Sequence, residues 1–140
     1  MILDLKIMPV NNATINISNL RLRAYIGFNP EEKVKKQDLV INIEIKYALN
    51  DGILNDQVEH ALDYKTITKE VIEYVEDGHF LLLEKLVADV LDLCSKNPAV
   101  NSARVTIDKP HALRFADSVS LSLEYSADHT NSLTLLEKAS

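Results

Sequence analysis

Four side chains in this 140-residue sequence stand where they could hold a ligand or move a proton: Glu32, Tyr64, Glu84 and Lys109. Glu84 opens an apolar-periodic segment and is flanked by Leu81, Leu82, Leu83 and Leu86. A carboxylate there either complements the positive end of a helix dipole or accepts paired hydrogen bonds from a ring with two adjacent N–H donors. Lys109 follows an alternating segment and directly precedes Pro110. A lysine in such a loop is commonly solvated, whereas one beside another cation or in an apolar pocket has the lowered pKa that suits proton transfer. Tyr64 follows Ala61-Leu-Asp63, where a tyrosine serves either packing or proton exchange. Glu32 lies in a Glu-Glu-Lys run that by composition reads as solvated surface.

The elements that must position these groups follow from apolar periodicity. Ile15, Ile17, Leu20, Leu22, Ala24 and Ile26 nearly alternate, which predicts a half-buried strand from Thr14 to Ile26 with a slip near Asn19. Gly27 and Pro30 end it, and a charged loop, Glu31 to Lys36, leads to a second alternating run, Leu39 to Tyr47. The two should pair as a long antiparallel hairpin, with Asn50-Asp-Gly52 as a turn after it. From Tyr64 the spacing becomes helical through Ile67, Val71, Tyr74 and Val75, with Asp63 or Thr66 as N-cap. Gly78 is expected to close that helix in the left-handed conformation. Leu83, Leu86, Val87, Val90, Leu91 and Cys94 make the stripe of a second helix, closed by Asn97-Pro98. Val105 and Ile107 mark a third strand, and Val119, Leu121, Leu123 and Tyr125 one face of a fourth. The expected fold class is α+β: a four-stranded antiparallel sheet in ββααββ order with its two helices on one side.

The length suits one domain, expected over residues 14–125, with an N-terminal extension at 1–13 and a polar tail at 126–140. Hydrophobic residues at 46% and charged residues at 26% describe a folding globular chain. The net charge of −6 argues against a protein that wraps nucleic acid. Cys94 is the single cysteine, so no intrachain disulfide or multi-thiolate metal site can be built. The first ten residues are interrupted by Asp4 and Lys6, so neither a signal peptide nor a membrane span is expected, and the cytoplasm is the default location.

Five stretches carry a more specific likeness: Asn19-Leu-Arg-Leu-Arg-Ala-Tyr-Ile-Gly27, Gln37-Asp-Leu-Val-Ile-Asn-Ile43, Ala61-Leu-Asp-Tyr64, Leu82-Leu-Glu-Lys-Leu86 and Ile107-Asp-Lys-Pro-His-Ala-Leu-Arg-Phe-Ala-Asp-Ser-Val119. Together, from about Ile15 to Tyr125, they resemble the dihydroneopterin aldolase family. The last stretch looks more like its dihydroneopterin triphosphate 2'-epimerase branch than its plain aldolase branch. The resemblance implies a tunnelling fold, in which subunits pool their sheets into a barrel and tetramer rings stack, commonly as an octamer. Active sites would then lie between neighbouring subunits.

The likeness also implies roles. Glu84 would anchor the 2-amino group and N3 proton of a dihydropterin; Lys109 would transfer protons around N5 and the substrate side chain. Tyr64 would lie by the side-chain hydroxyls, and Glu32 would be the catalytic-loop glutamate. Leu62 and Leu83 would contact substrate beside these motifs. His111 is a candidate contact through the Lys-Pro-His loop. Arg114 is expected to meet the triphosphate, with Lys33, Lys35 and Lys36 as further candidates.

No cofactor is implied, because loss of the 2'-hydroxyl proton and cleavage of C1'–C2' leave charge that the adjacent C6=N5 imine absorbs. If the aldehyde fragment leaves, the outcome is an aldolase; if it turns and re-adds, C2' is inverted. The zinc-dependent relatives of this fold are a poor match, since His60, His79, His111 and His129 form no closely spaced pair and one cysteine cannot complete a two-cysteine set. A non-catalytic pterin-binding subunit is the other alternative, disfavoured by the presence of all four candidate groups.

Overall fold

The computed structural model describes residues 12–127. Most of the expected extension and tail therefore lie outside the described residues. Strands β1 (Asn12–Ile26), β2 (Gln37–Ala48), β4 (Val100–Lys109) and β5 (Val119–Ser126) form the antiparallel core of the sheet. Between β2 and β4 run the two long helices, here α3 (Tyr64–Asp77) and α4 (Leu83–Ser95). Three expectations need correction. The sheet has five strands, not four, because the two-residue β3 (His79–Phe80) adds a parallel edge to β1 and makes the sheet mixed, in the order β3-β1-β2-β4-β5. Among the described residues the α-helices number four rather than two: α1 (Pro30–Val34) replaces much of the charged loop, and α2 (Asp51–Leu54) occupies the Asn50-Asp-Gly turn, followed by a 3-10 turn at Val58–His60. Gly78 closes α3 at φ −97 and ψ 167, in extended rather than left-handed backbone, because the chain passes straight into β3. Short elements of this kind leave no periodic signal in the sequence.

Other boundaries follow the local chemistry. Asn50 caps α2 by accepting from the Ile53 amide at 2.8 Å, and Asp63 caps α3 by accepting from Thr66 N at 3.0 Å. The cap holds the Asp63 carboxyl below its ordinary range, since the Thr66 hydroxyl and amide both donate to it. In β1 the register slips between Ile17 and Leu20, where Asn19 takes φ 55 and its amide donates to Asn42 Oδ1 at 2.9 Å.

One face of the sheet carries the core. Leu39, Ile41, Ile43 and Ile45 of β2 and Val105 and Ile107 of β4 are buried against Val71 and Val75 of α3 and Leu86, Val87, Val90 and Cys94 of α4. Each such side chain contributes roughly 1.5–3 kcal/mol of transfer free energy. Burial pushes the Cys94 thiol up to about 12, so it is a packing residue. The opposite face is polar, with pairs such as Arg104 with Glu124 at 3.3 Å and Thr106 with Ser122 at 2.6 Å. Among the described residues, no helix is long and apolar enough to cross a membrane.

Candidate active site

Strand alternation sets two polar residues at one end of the buried apolar rows. In β4, Lys109 continues the series Ala103, Val105, Ile107; in β2, Gln37 precedes Leu39 and Ile41 on the same face. Between these strand ends the chain leaves β1 at Gly27 and returns through α1, which carries Glu32 to meet them. Lys109 Nζ donates to Glu32 Oε2 at 2.9 Å, and Gln37 Nε2 donates to the same oxygen at 3.0 Å and to the Ile26 carbonyl at 2.6 Å. The Asn29 amide donates to Glu32 Oε1 at 3.4 Å. The Lys109 hydrogen bond, aided by Gln37 and Asn29, holds the Glu32 carboxyl below the usual carboxylate range although partial burial works the other way. Only a glycine fits at position 27, with φ 128 and the Glu32 carboxylate within 2.1–2.4 Å of where a Cβ would lie.

The pair faces a cavity of about 310 Å³ whose walls include Phe28, Leu82, Leu83, Glu84, Ala112 and Leu121. Glu84 sits in the first turn of α4, exposed, and its carboxylate has no hydrogen-bonding or ionic partner among the described residues. The cavity thus has on its walls an acceptor with nothing to accept from, an ion pair, and apolar side chains. Such an arrangement can grip a flat ring by its N–H edge and exchange protons at the far end. The group beside Lys109 is a carboxylate, not another cation.

Of the residues singled out in the sequence, Glu32, Leu83, Glu84 and Lys109 therefore converge. Leu62 is buried in the core. Tyr64 lines a different cavity of about 820 Å³, between α3 and Ile15 and Ile17 of β1. His111 lines a third, of about 490 Å³, with Nε2 4.0 Å from Asp38 Oδ2. Arg114 is exposed, its guanidinium 5.3 Å from the Phe115 ring, and lines none of these three cavities. Sequence reasoning passed over Gln37 and Gly27 as site residues. A polar residue at the end of an apolar strand row was the available signal for Gln37. Among the described residues, no group of three His, Cys, Asp or Glu side chains is arranged to hold a metal.

Fold and cavity define a class: an α+β protein with a lysine–glutamate ion pair at the end of its sheet and a helix carboxylate on the wall of the same cavity. Residues 15–124 match the family model of FolB, dihydroneopterin aldolase. The dihydroneopterin triphosphate 2'-epimerase of Pseudomonas aeruginosa is 50% identical over 111 residues, 79% of this chain and 90% of that protein. The dihydroneopterin aldolase of Haemophilus influenzae is 30% identical over 103 residues, 74% of this chain and 87% of that protein. The crystal structure of Escherichia coli dihydroneopterin aldolase in complex with neopterin superposes with a TM-score of 0.75 at 26% identity, covering 81% of this chain and 99% of that one. The chain belongs to the dihydroneopterin aldolase family.

Proposed function

We propose that this chain is a dihydroneopterin triphosphate 2'-epimerase, which converts the erythro substrate to the threo, dihydromonapterin form. The observation that carries the reading is the single cavity that sets unpartnered Glu84 against the Lys109–Glu32 pair. The choice of epimerase over aldolase is supported by 50% identity to the one against 30% to the other.

In this reading Glu84 accepts from the pterin 2-amino group and N3–H, which fixes the ring with C6 toward Lys109. A base takes the 2'-hydroxyl proton, C1'–C2' breaks, and its electron pair moves through C6 onto N5, which is protonated. The aldehyde turns, the enamine carbon C1' attacks its other face as N5 gives up its proton and the C6=N5 imine re-forms, and the new 2'-alkoxide recovers a proton. Atoms and electrons return to their starting count with C2' inverted. Lys109 and Tyr64 exchange the protons, and Glu32 holds Lys109 in place. Each acid or base group supplies roughly 10² to 10⁴-fold, and the ring itself is the electron sink, so no cofactor is called for.

Tyr64 reaches this chemistry from a neighbouring subunit. The arrangement is supported by two open sheet edges: β1 is covered by β3 only at Tyr25 and Ile26, and β5 pairs only with β4 among the described residues. Exposed Phe28, Leu81, Leu82, Leu113 and Phe115 add apolar surface at the same end. Copies joined edge to edge would close a barrel and stack as tetramer rings into an octamer, located in the cytoplasm. His111 completes the substrate contacts, with Leu83 against the ring and Leu62 supporting Tyr64.

Incubation of the purified protein with dihydroneopterin triphosphate, with erythro and threo products resolved, tests the reading. Threo product is expected; mainly 6-hydroxymethyl-7,8-dihydropterin would make the chain an aldolase, and tight binding without turnover a non-catalytic pterin protein. Light scattering should give a ring assembly, and a stable monomer would overturn the shared site.

A further inference from the structure

We propose that the cavity beyond Glu32, where Arg23, Lys35 and His111 stand, is the bed for the substrate's polyphosphate tail and the feature that selects a triphosphate over the free alcohol. The inference rests on the epimerase reading. The 490 Å³ and 310 Å³ cavities share two wall residues, Glu32 and Ala112, so they meet at Glu32, the carboxylate paired with Lys109. A ligand whose ring lies against Glu84 and whose reacting carbons lie at Lys109 continues outward past Glu32 into the second cavity.

The linings differ as such a ligand requires. The first has Phe28, Leu81, Leu82, Leu83 and Leu121 on its walls; the second has Arg23, Lys35, Lys36 and His111. Arg23 is already oriented, its Nε 3.1 Å from Asp38 Oδ1 and its Nη2 donating to the Lys36 carbonyl at 3.1 Å. That leaves part of its five-donor fork for phosphate oxygens. Lys35 is exposed and has no ion pair among the described residues. Lys36 is engaged, donating to the Glu76 carbonyl at 3.2 Å and lying 5.6 Å over the Tyr25 ring. The cavity also holds Glu31, Glu32 and Asp38, but Glu32 is paired with Lys109 and Asp38 with Arg23. One unpaired carboxylate, Glu31, therefore faces Lys35, Lys36 and His111. Arg114 does not line this cavity.

Two measurements test the bed. The first compares kcat/KM for dihydroneopterin triphosphate and dihydroneopterin in wild type, Lys35→Ala, Arg23→Ala and Arg114→Ala. Lys35→Ala and Arg23→Ala should each lower the preference for the triphosphate about tenfold, the loss expected of one charge-assisted contact. Equal losses on both substrates, or a selective loss in Arg114→Ala alone, would overturn the proposal. The second titrates inorganic tripolyphosphate into wild type and Lys35→Ala by calorimetry, independent of turnover. Binding that weakens about tenfold in the variant supports the bed, and binding unchanged by it refutes the bed. A wild type that binds tripolyphosphate through Lys35 but epimerises nothing keeps the anion site and sinks the epimerase assignment instead.

Discussion

Two carboxylates in this protein are held in the same way and come to different ends. Glu32 accepts from Lys109 and Gln37; Asp89 accepts from Lys85 at 2.9 Å and from the Tyr74 hydroxyl. Both carboxyls lie below their ordinary range. For Glu32 the Lys109 hydrogen bond is the largest cause; for Asp89 burial is the largest single influence and opposes ionisation, but Tyr74 and Lys85 together outweigh it. Asp89 in turn raises the Tyr74 hydroxyl. The Asp89 cluster joins two packed helices over a separation of 15 residues, whereas Lys109 and Glu32 are 77 residues apart and face a cavity. A perturbed carboxylate is therefore no site by itself. Concave space beside it, of ligand size and with a second acceptor across it, makes the difference.

The sharpest way to break this contrast is at the cation. Lys109→Ala should lower turnover by about 10² to 10⁴-fold, as loss of an acid–base group does, with the assembly unchanged by light scattering; turnover within tenfold of wild type would make the pair structural. Glu84→Ala should come next, raising KM by roughly a hundredfold for loss of a bidentate anchor, the size of one or two charged hydrogen bonds. A fall in kcat with KM unchanged would place Glu84 in the chemical step instead. Glu32→Gln keeps the shape and removes the charge that holds Lys109, so about a tenfold loss of kcat/KM is expected, with a changed pH profile as the sign of positioning.

Asp89→Asn should be the smallest: turnover within twofold of wild type and stability lower by about 1 kcal/mol at neutral pH in urea unfolding. A depressed carboxyl contributes stability above its unfolded pKa, ordinarily 3.8 for Asp, and loses that contribution as pH falls through the folded value. The gap between wild type and Asp89→Asn should therefore narrow below about pH 4. A gap constant from pH 7 to 3 would show that charge at Asp89 contributes nothing.

Much of this was legible before any coordinates. The apolar rows of β1, β2, β4 and β5 and the stripes of α3 and α4 are long and periodic, and they stand close to where alternation and helical spacing put them. The bulge at Asn19 was visible because Leu20 and Leu22 fall on even positions after Ile15 and Ile17 on odd ones. The two-residue β3 was not, since its existence depends on partners elsewhere: Tyr25 and Ile26, and a Gly27 amide donating to the Phe80 carbonyl at 2.9 Å. In the site, the resemblance singled out Glu84, Lys109 and Glu32, but no spacing rule could show that Glu32 and Lys109 touch. That contact is made by the return of α1 after Gly27, whose missing side chain leaves the room the carboxylate occupies. Tyr64 was singled out for chemistry and stands beside another cavity, because the start of α3 sets it by Ile15 and Ile17 of β1.

The bulge in β1 has one more consequence. It inserts a residue into a strand of 15, so odd positions face the helices before it and even positions after it. Loss of a single residue at 18 or 19 would remove the extra residue and leave Ile15, Ile17, Leu20, Leu22, Ala24 and Ile26 in unbroken alternation on one face, whereas loss of one residue on either side of the bulge would turn the residues beyond it outward. Outside positions 18 and 19 this strand can thus absorb many substitutions but almost no odd-numbered change in length. Its tolerance to insertion and deletion is set by counting, not by chemistry.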